Sequence, residues 1–296
     1  MRSEFELIDD FVRRFGRARG ELLLGAGDDA ALLRPGRGEE LVLTVDALVE
    51  GVHFTRDFTP EEVGHKALAV NLSDLAAMGA RPVAFLCALA FPPGWTPKLP
   101  GIARGMSKLA RGCGVQLAGG NMTRARQLSI TITAIGAVPR GQALQRDGAR
   151  VGDLLVVSGE LGGAAAGLGR SASPQVRRRQ RRPTPRLGLG MAARGLAHAA
   201  IDISDGLAAD LGHLLGASGV GAHLQPEQIP IAPGAALKDA LTGGEDYELL
   251  LAVPPRKLPA LARLAGCPLT QIGAVVRGRG ISGLPGKLPR GFQHFR

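Results

Sequence analysis

The stretch TPEEVGHKALAVNLSDLAAMG, Thr59–Gly79, constrains the fold of this chain more than any other segment. Its punctuation predicts one helix. Thr59 suits the N-cap, Pro60 the first helical position, Glu61 and Glu62 the positive end, and Gly79 the close. Val63, Ala67, Val70, Asp74 and Met78 follow at steps of four, three, four and four, so they share one face. That stripe is apolar except for Asp74, with Asn71 one turn before it. A carboxylate on a buried stripe is costly unless a cation or hydrogen-bond donors meet it. Taken by itself, Asp74 reads most simply as a locally hydrogen-bonded helix residue. It is not by itself, because acidic turns recur along the chain.

At 296 residues the chain has room for two modest domains or one large one. Hydrophobic residues make up 45 % and aromatics only 4 %, the profile of a globular enzyme rich in Ala, Leu, Val and Gly rather than of a disordered chain. No apolar run is long enough for a membrane helix and MRSEFELIDDF is no signal peptide, so a soluble cytoplasmic protein is expected. Cys87, Cys113 and Cys267 are widely spaced and not metal-patterned, and read as reduced core thiols. The net charge of +10 is mostly local: seven arginines fall between Arg170 and Arg186, in GRSASPQVRRRQRRPTPR. No aromatics interleave them, as a nucleic-acid surface would ask, so a solvated loop is expected, with a contact to anionic phosphates as the alternative. Neither a membrane nor a nucleic acid is expected as a partner.

Along the chain, an amphipathic helix is predicted over 3–15, with Ser3 and Glu6 as a capping box. LLLGAGDDAALL then stops an apolar run at Gly25 to Gly27 and presents Asp28 and Asp29. Adjacent carboxylates at a glycine turn make either an ordinary loop or a hard-cation site, since Mg²⁺ prefers carboxylate oxygens. LVLTVD (41–46) predicts a strand that sets Asp46 at a sheet rim. His53 follows, a lone histidine that on its own reads as structural. Strands over 83–91 and 129–138 and a helix near 97–111 are predicted. VQLAGGNMTR (115–124) reads as a strand running into a Gly119-Gly120 turn that carries Asn121. A domain boundary is expected within 139–152, where Pro, Gly and polar residues combine.

The second half opens with the strand LLVVSG (154–159), a Gly162-Gly163 turn and a small-residue helix, and a further helix is predicted near 187–198. AIDISDGLAADLGHLL (200–215) predicts a short strand, an acidic turn at Asp202 and Asp205, and a helix whose start at Ser204, Asp205 and Gly206 suits capping and phosphate approach. TGGEDYELLLAVP is another glycine turn, with Glu245 and Asp246 leading into a strand.

Five turns or rims thus carry acidic residues. No P-loop, no dinucleotide fingerprint in strand–helix context and no nucleophile elbow accompanies them. Converging carboxylates can hold several Mg²⁺ ions between protein and a polyphosphate, a mechanism of in-line transfer that needs no covalent intermediate.

GDDAALL, TVDALVEGVHF, KALAVNLSDLAAMGARP, AIDISDGLAADLGH and LTGGEDYEL resemble, in this order and over nearly the whole chain, the motifs of the thiamine-monophosphate kinase family. The resemblance implies an α/β (α+β type) fold, two-domain and aminoimidazole ribonucleotide synthetase-like. Residues 1–139 would form an N-terminal mixed-sheet domain for ATP, Mg²⁺ and dimerisation, and 140–296 an α/β domain completing the metal and thiamine site. It also implies a homodimer with ATP between the subunits' N-terminal sheets, and direct transfer from ATP to thiamine monophosphate. Position by position it implies Mg²⁺ ligands at Asp28, Asp29, Thr44, Asp46, Asp74, Asp202 and Asp205, with Val45 giving backbone at most. Gly120, Arg146 and Ser204 would contact ATP, the arginine offering charge to phosphates. His53 would meet the thiamine phosphate, while Glu245 and Phe292 frame the thiamine moiety, Phe292 by stacking.

The chain departs from the family pattern in places. Where the family has GGDTTR this chain has GGNMTR, so Asn121 stands at a metal- and ATP-binding position. An amide oxygen ligates Mg²⁺ without negative charge, so an active enzyme with a raised Mg²⁺ requirement is expected. The tail reads GFQHF where an aromatic-Asp-His-Phe string is usual, and the 170–186 segment is short and basic for the family. Two alternatives stay open: a superfamily relative acting on another small substrate, and a weakened nucleotide-binding homologue.

Overall fold

Residues 4–26, 30–169 and 172–284 are described by the structure, a computed structural model. The chain divides into two units, Met1–Leu75 with Arg81–Gly141, and Ala76–Ala80 with Gln142–Arg296.

The first unit holds α1 (Glu4–Val12), a short antiparallel pair β1 (Leu22–Leu24) and β2 (Leu32–Leu33), and a four-stranded sheet. Its strands β3 (Glu39–Val49), β4 (Arg81–Phe91), β5 (Gln116–Arg124) and β6 (Ser129–Pro139) lie in the order β3-β6-β4-β5, with only β4–β5 parallel. The helix expected over 59–79 is α2 (Pro60–Ala77). Its capping box forms: Thr59 N–H donates to Glu62 Oε2 at 2.8 Å, and Glu62 N–H to Thr59 Oγ1 at 3.3 Å. Val63, Ala67 and Val70 on its stripe are buried, and Gly79 N–H closes on Ala76 O at 2.9 Å. α2 crosses α3 (Leu99–Cys113) at glycines. A Cβ on Gly64 would lie 2.0 Å from the Ile102 carbonyl oxygen, and one on Gly105 only 1.9 Å from that of Glu61, so larger residues would force the helices apart.

On β3 the side chains alternate between faces. Leu43 and Val45 stay open, 63 % and 60 % exposed. Val45 shares a cross-strand row with Thr133 and the exposed Leu86. Thr44 and Asp46 take the other face, toward α2. One expectation fails here: Gly119 and Gly120 make no turn but lie inside β5. Their role is close approach, since a Cβ on Gly120 would sit 1.9 Å from the Cys87 carbonyl oxygen of β4.

The second unit is built on β7 (Leu154–Ser158), β8 (Ala199–Asp202), β9 (Gly221–Leu224), β10 (Leu249–Val253), β11 (Leu269–Val276) and β12 (Gly280–Ser282). The order is β12-β9-β11-β7-β10-β8, antiparallel apart from β12–β9. Helices α4 (Gly163–Gly167), α5 (Pro174–Arg181), α6 (Leu187–Ala193), α7 (Leu207–Ser218), α8 (Leu237–Thr242) and α9 (Leu258–Leu264) accompany it. Leu155 and Val157 of β7, Ile201 of β8, Leu250 of β10 and Ile272 of β11 pack with Leu211 and Leu214 of α7 in its core. The arginine-rich segment is a second correction, because much of it is helix α5 rather than loop. Ser173 caps it by accepting the Val176 N–H at 3.4 Å, Pro174 opens it, and Arg178, Arg179 and Arg181 sit at its negative end. Arg179 also reaches Glu160 at 2.5 Å. Among the described residues, no helix is long and apolar enough to cross a membrane.

Candidate active site

In the first unit the motif residues meet between β3 and α2. Thr44 Oγ1 donates to Asp74 Oδ2 at 2.6 Å, and Asp46 N–H donates to Asn71 Oδ1 at 3.0 Å. Asn71 is fixed in turn by its own amide, which donates to Ala67 O at 3.0 Å. Asp46 keeps solvent access on the edge strand, yet surrounding protein screens its carboxylate from water. That screening first, and the charge of Asp74 second, push the Asp46 pKa up to about 6. Two carboxylates that resist ionising together, beside a hydroxyl, form a site that a cation would relieve. The set suits Mg²⁺, which takes one or two carboxylates beside waters and phosphate oxygens.

His53 lies in the tight loop after β3. Its Nδ1 accepts the Val49 N–H at 3.1 Å, which leaves the ring proton on Nε2. Gly120 lies on the Asp46 row of the sheet, through Ile132 and Cys87. Asn121 is paired with Ala88, and so lies on the alternate face, with Thr131 and Ala47. The structure does not bring its side chain to the Asp46–Asp74 pair.

The second unit gathers the other motif residues around two interlocked turns. Asp202, buried, ends β8 opposite Leu249. The next turn is held by Asp210, whose Oδ2 accepts the N–H groups of both Ser204 and Asp205 at 3.0 Å. Burial pushes Asp210 up to about 7, with the charge of Asp205 adding to it, while the two N–H groups and the Arg146 guanidinium pull the other way. Arg146 therefore belongs to the same neighbourhood as Ser204 and Asp205. The facing turn carries Glu245 and Tyr247 at φ values of 60° and 52°, left-handed conformations that cost a side-chain-bearing residue energy. They are held by hydrogen bonds from Glu245 N–H to Ser204 O at 2.7 Å and from Tyr247 N–H to Ile203 O at 2.8 Å. Gln180 Nε2 reaches Glu245 Oε2 at 3.2 Å. Asp246 points elsewhere, accepting the N–H groups of Gly162 at 2.6 Å and Ala164 at 3.1 Å.

Residues 27–138 match the N-terminal domain, and 150–284 the C-terminal domain, of the AIR synthase related proteins. Thiamine-monophosphate kinase of Salmonella typhimurium is 41 % identical over 292 residues, spanning 92 % of this chain and 90 % of that one. This chain belongs to the thiamine-monophosphate kinase family. The family enzyme of Escherichia coli strain K12 is 40 % identical with the same coverage. The crystal structure of thiamine-monophosphate kinase from Stenotrophomonas maltophilia K279a superposes with a TM-score of 0.86 at 43 % identity, covering 95 % of this chain and 96 % of that one. AaThiL complexed with AMPPCP and TMP superposes with a TM-score of 0.80 at 33 % identity, covering 100 % and 99 %.

Within this family fold, Thr44, Asp46 and Asp74 come together in the first unit, and in the second Ser204, Asp205 and Glu245 share two turns, with Asp202 at the end of β8 just before them and Arg146 near enough for its charge to act on Asp210. Asp28, Asp29 and Phe292 lie outside the described residues, as does the Ser3 cap. Among the described residues, no three His, Cys, Asp or Glu side chains stand close enough to hold a metal by themselves. Asp210 was missed by sequence reasoning. Its signal is an acid in the first turn of α7, where a carboxylate finds unsatisfied N–H groups.

Proposed function

We propose that this chain transfers the γ-phosphoryl group of ATP to the phosphate of thiamine monophosphate, giving ADP and thiamine diphosphate. The observation that carries the reading is the end-to-end match to AaThiL in complex with AMPPCP and TMP. A phosphate oxygen of thiamine monophosphate attacks the γ-phosphorus as the bond to the ADP oxygen breaks in line, without a covalent enzyme intermediate. Several Mg²⁺ ions would be held by Thr44, Asp46 and Asp74, by Asp202 and Asp205, and by Asp28, Asp29 and Asn121. Bound there, they neutralise phosphate charge. His53 donates from Nε2 to the substrate phosphate. Gly120 lets β5 run close to β4 beside ATP, while Arg146 and Ser204 contact its phosphates. Glu245 and Phe292 frame the thiamine, the carboxylate answering its cationic ring.

In this reading residues 1–139 take ATP and Mg²⁺, and residues 140–296 complete the site. The exposed Leu41, Leu43, Val45 and Leu86 on one sheet face support a homodimer formed through that face. The need for ATP fits the cytoplasm. The test is to measure ADP and thiamine diphosphate from ATP and thiamine monophosphate across Mg²⁺ concentrations. Equal amounts of the two products, and none without Mg²⁺, are expected. ATP hydrolysis that yields no thiamine diphosphate overturns the reading.

A further inference from the structure

Lys66 lies on α2, the helix that carries Asn71 and Asp74, and its side chain is fully buried. A buried ammonium is expensive unless it is held by acceptors. Its Nζ donates to the backbone carbonyl of His53 at 2.9 Å and lies 5.7 Å from the Phe58 ring centroid. The same loop is pinned at other points. Val49 N–H donates to the His53 ring at 3.1 Å, His53 N–H returns to Val49 O at 3.0 Å, and Gly51 N–H reaches Phe54 O at 2.7 Å. Phe54, Phe58 and Trp95 pack around it, with Phe54 centroids 6.0 Å from Phe58 and 6.4 Å from Trp95. The β3 end fixes the His53 ring, while Lys66 fixes the His53 backbone to the helix that holds Asp74.

We infer that Lys66 is a positioning residue for recognition of the substrate phosphate, acting through the His53 carbonyl. The inference rests on the reading of His53 as a phosphate contact. An imidazole N–H that must meet one phosphate oxygen needs both its ring and its backbone placed, and a lysine reaching from the metal-side helix couples that placement to the position of Asp74. The bond from the ammonium to the carbonyl is charge-assisted, the stronger kind of hydrogen bond.

Steady-state kinetics on Lys66→Met, His53→Ala and the double variant test it. Lys66→Met should raise KM for thiamine monophosphate about tenfold, the factor carried by one lost charge-assisted hydrogen bond, with kcat and KM for ATP within about twofold of wild type. On the His53→Ala background, the same substitution should add little. Fully additive effects, a rise shared with KM for ATP, or an unchanged KM for thiamine monophosphate would overturn the role of Lys66. If His53→Ala itself leaves that KM unchanged, the reading of His53 fails instead. Lys66→Gln, which keeps an N–H donor, should reverse part of the KM rise seen in Lys66→Met, and should Lys66→Met not fold, Lys66→Leu, which has no donor, is read by the same criteria.

Discussion

Thr44 Oγ1 donates a 2.6 Å hydrogen bond to Asp74 Oδ2, tying edge strand β3 to α2 across 30 residues of sequence. The bond orients the carboxylate while leaving the hydroxyl lone pairs for a cation. Thr44→Val keeps the shape and removes both. It should lower kcat/KM about tenfold and raise the Mg²⁺ needed for half-maximal rate, with the melting temperature nearly unchanged. A Mg²⁺ titration that superposes on wild type would place Thr44 outside the ion site.

Gly120 and Gly119 are neighbours with opposite tolerances. A Cβ on Gly120 meets the Cys87 carbonyl oxygen at 1.9 Å, whereas one on Gly119 meets only a Leu86 methyl carbon at 3.5 Å. Gly120→Ala must therefore move β5 away from β4, at a cost of about 2 kcal/mol or more, and should weaken ATP binding as well. Gly119→Ala should stay within about 0.5 kcal/mol. Denaturant unfolding and nucleotide titration of the two variants separate these outcomes.

Asp246 is pushed from 3.8 up to about 6, chiefly by burial, against the opposing effect of the Gly162 and Ala164 N–H groups. A carboxyl with a raised folded pKa holds its proton more tightly in the folded chain than in the unfolded one. Stability therefore falls as pH rises between about 4 and 6, by at most about 3 kcal/mol from this group. Asp246→Asn removes the titration, so its unfolding free energy should change less across that window than the wild type's. Parallel pH curves would contradict the assignment.

The open row on the four-stranded sheet predicts association. Leu43 and Val45 are 63 % and 60 % exposed, and substituting both by lysine puts like charges across any self-complementary contact. Sedimentation should show a dimeric wild type and a monomeric double variant with an unchanged melting profile of the isolated fold. A monomeric wild type would remove the dimer.

Much of the fold could be read in advance where the deciding forces are local. The cap at Thr59, Pro60 and the apolar stripe specify α2, and alternation marks β3 and β6. The errors fall where the cause is a distant neighbour. Gly119-Gly120 looks like a turn because glycine favours turns, but the need arises from the Cys87 carbonyl on another strand. The arginine run lacks an apolar stripe, so its helix depends on the Ser173 cap and on pairs such as Arg179–Glu160. Within the candidate site, the acidic motifs were visible as residue types. Lys66 and Asp210 were not, since only tertiary structure shows a lysine buried on a carbonyl or one carboxylate holding two N–H groups.

The central claim is that the neighbouring carboxylates of β3 and α2, Asp46 and Asp74, hold Mg²⁺ at a bound nucleotide. Calorimetric titration of Mg²⁺ in the presence of AMPPCP tests it most directly. Asp46→Asn and Asp74→Asn should each weaken Mg²⁺ binding about tenfold or more. Wild-type Mg²⁺ affinity in both Asp→Asn variants would contradict the account.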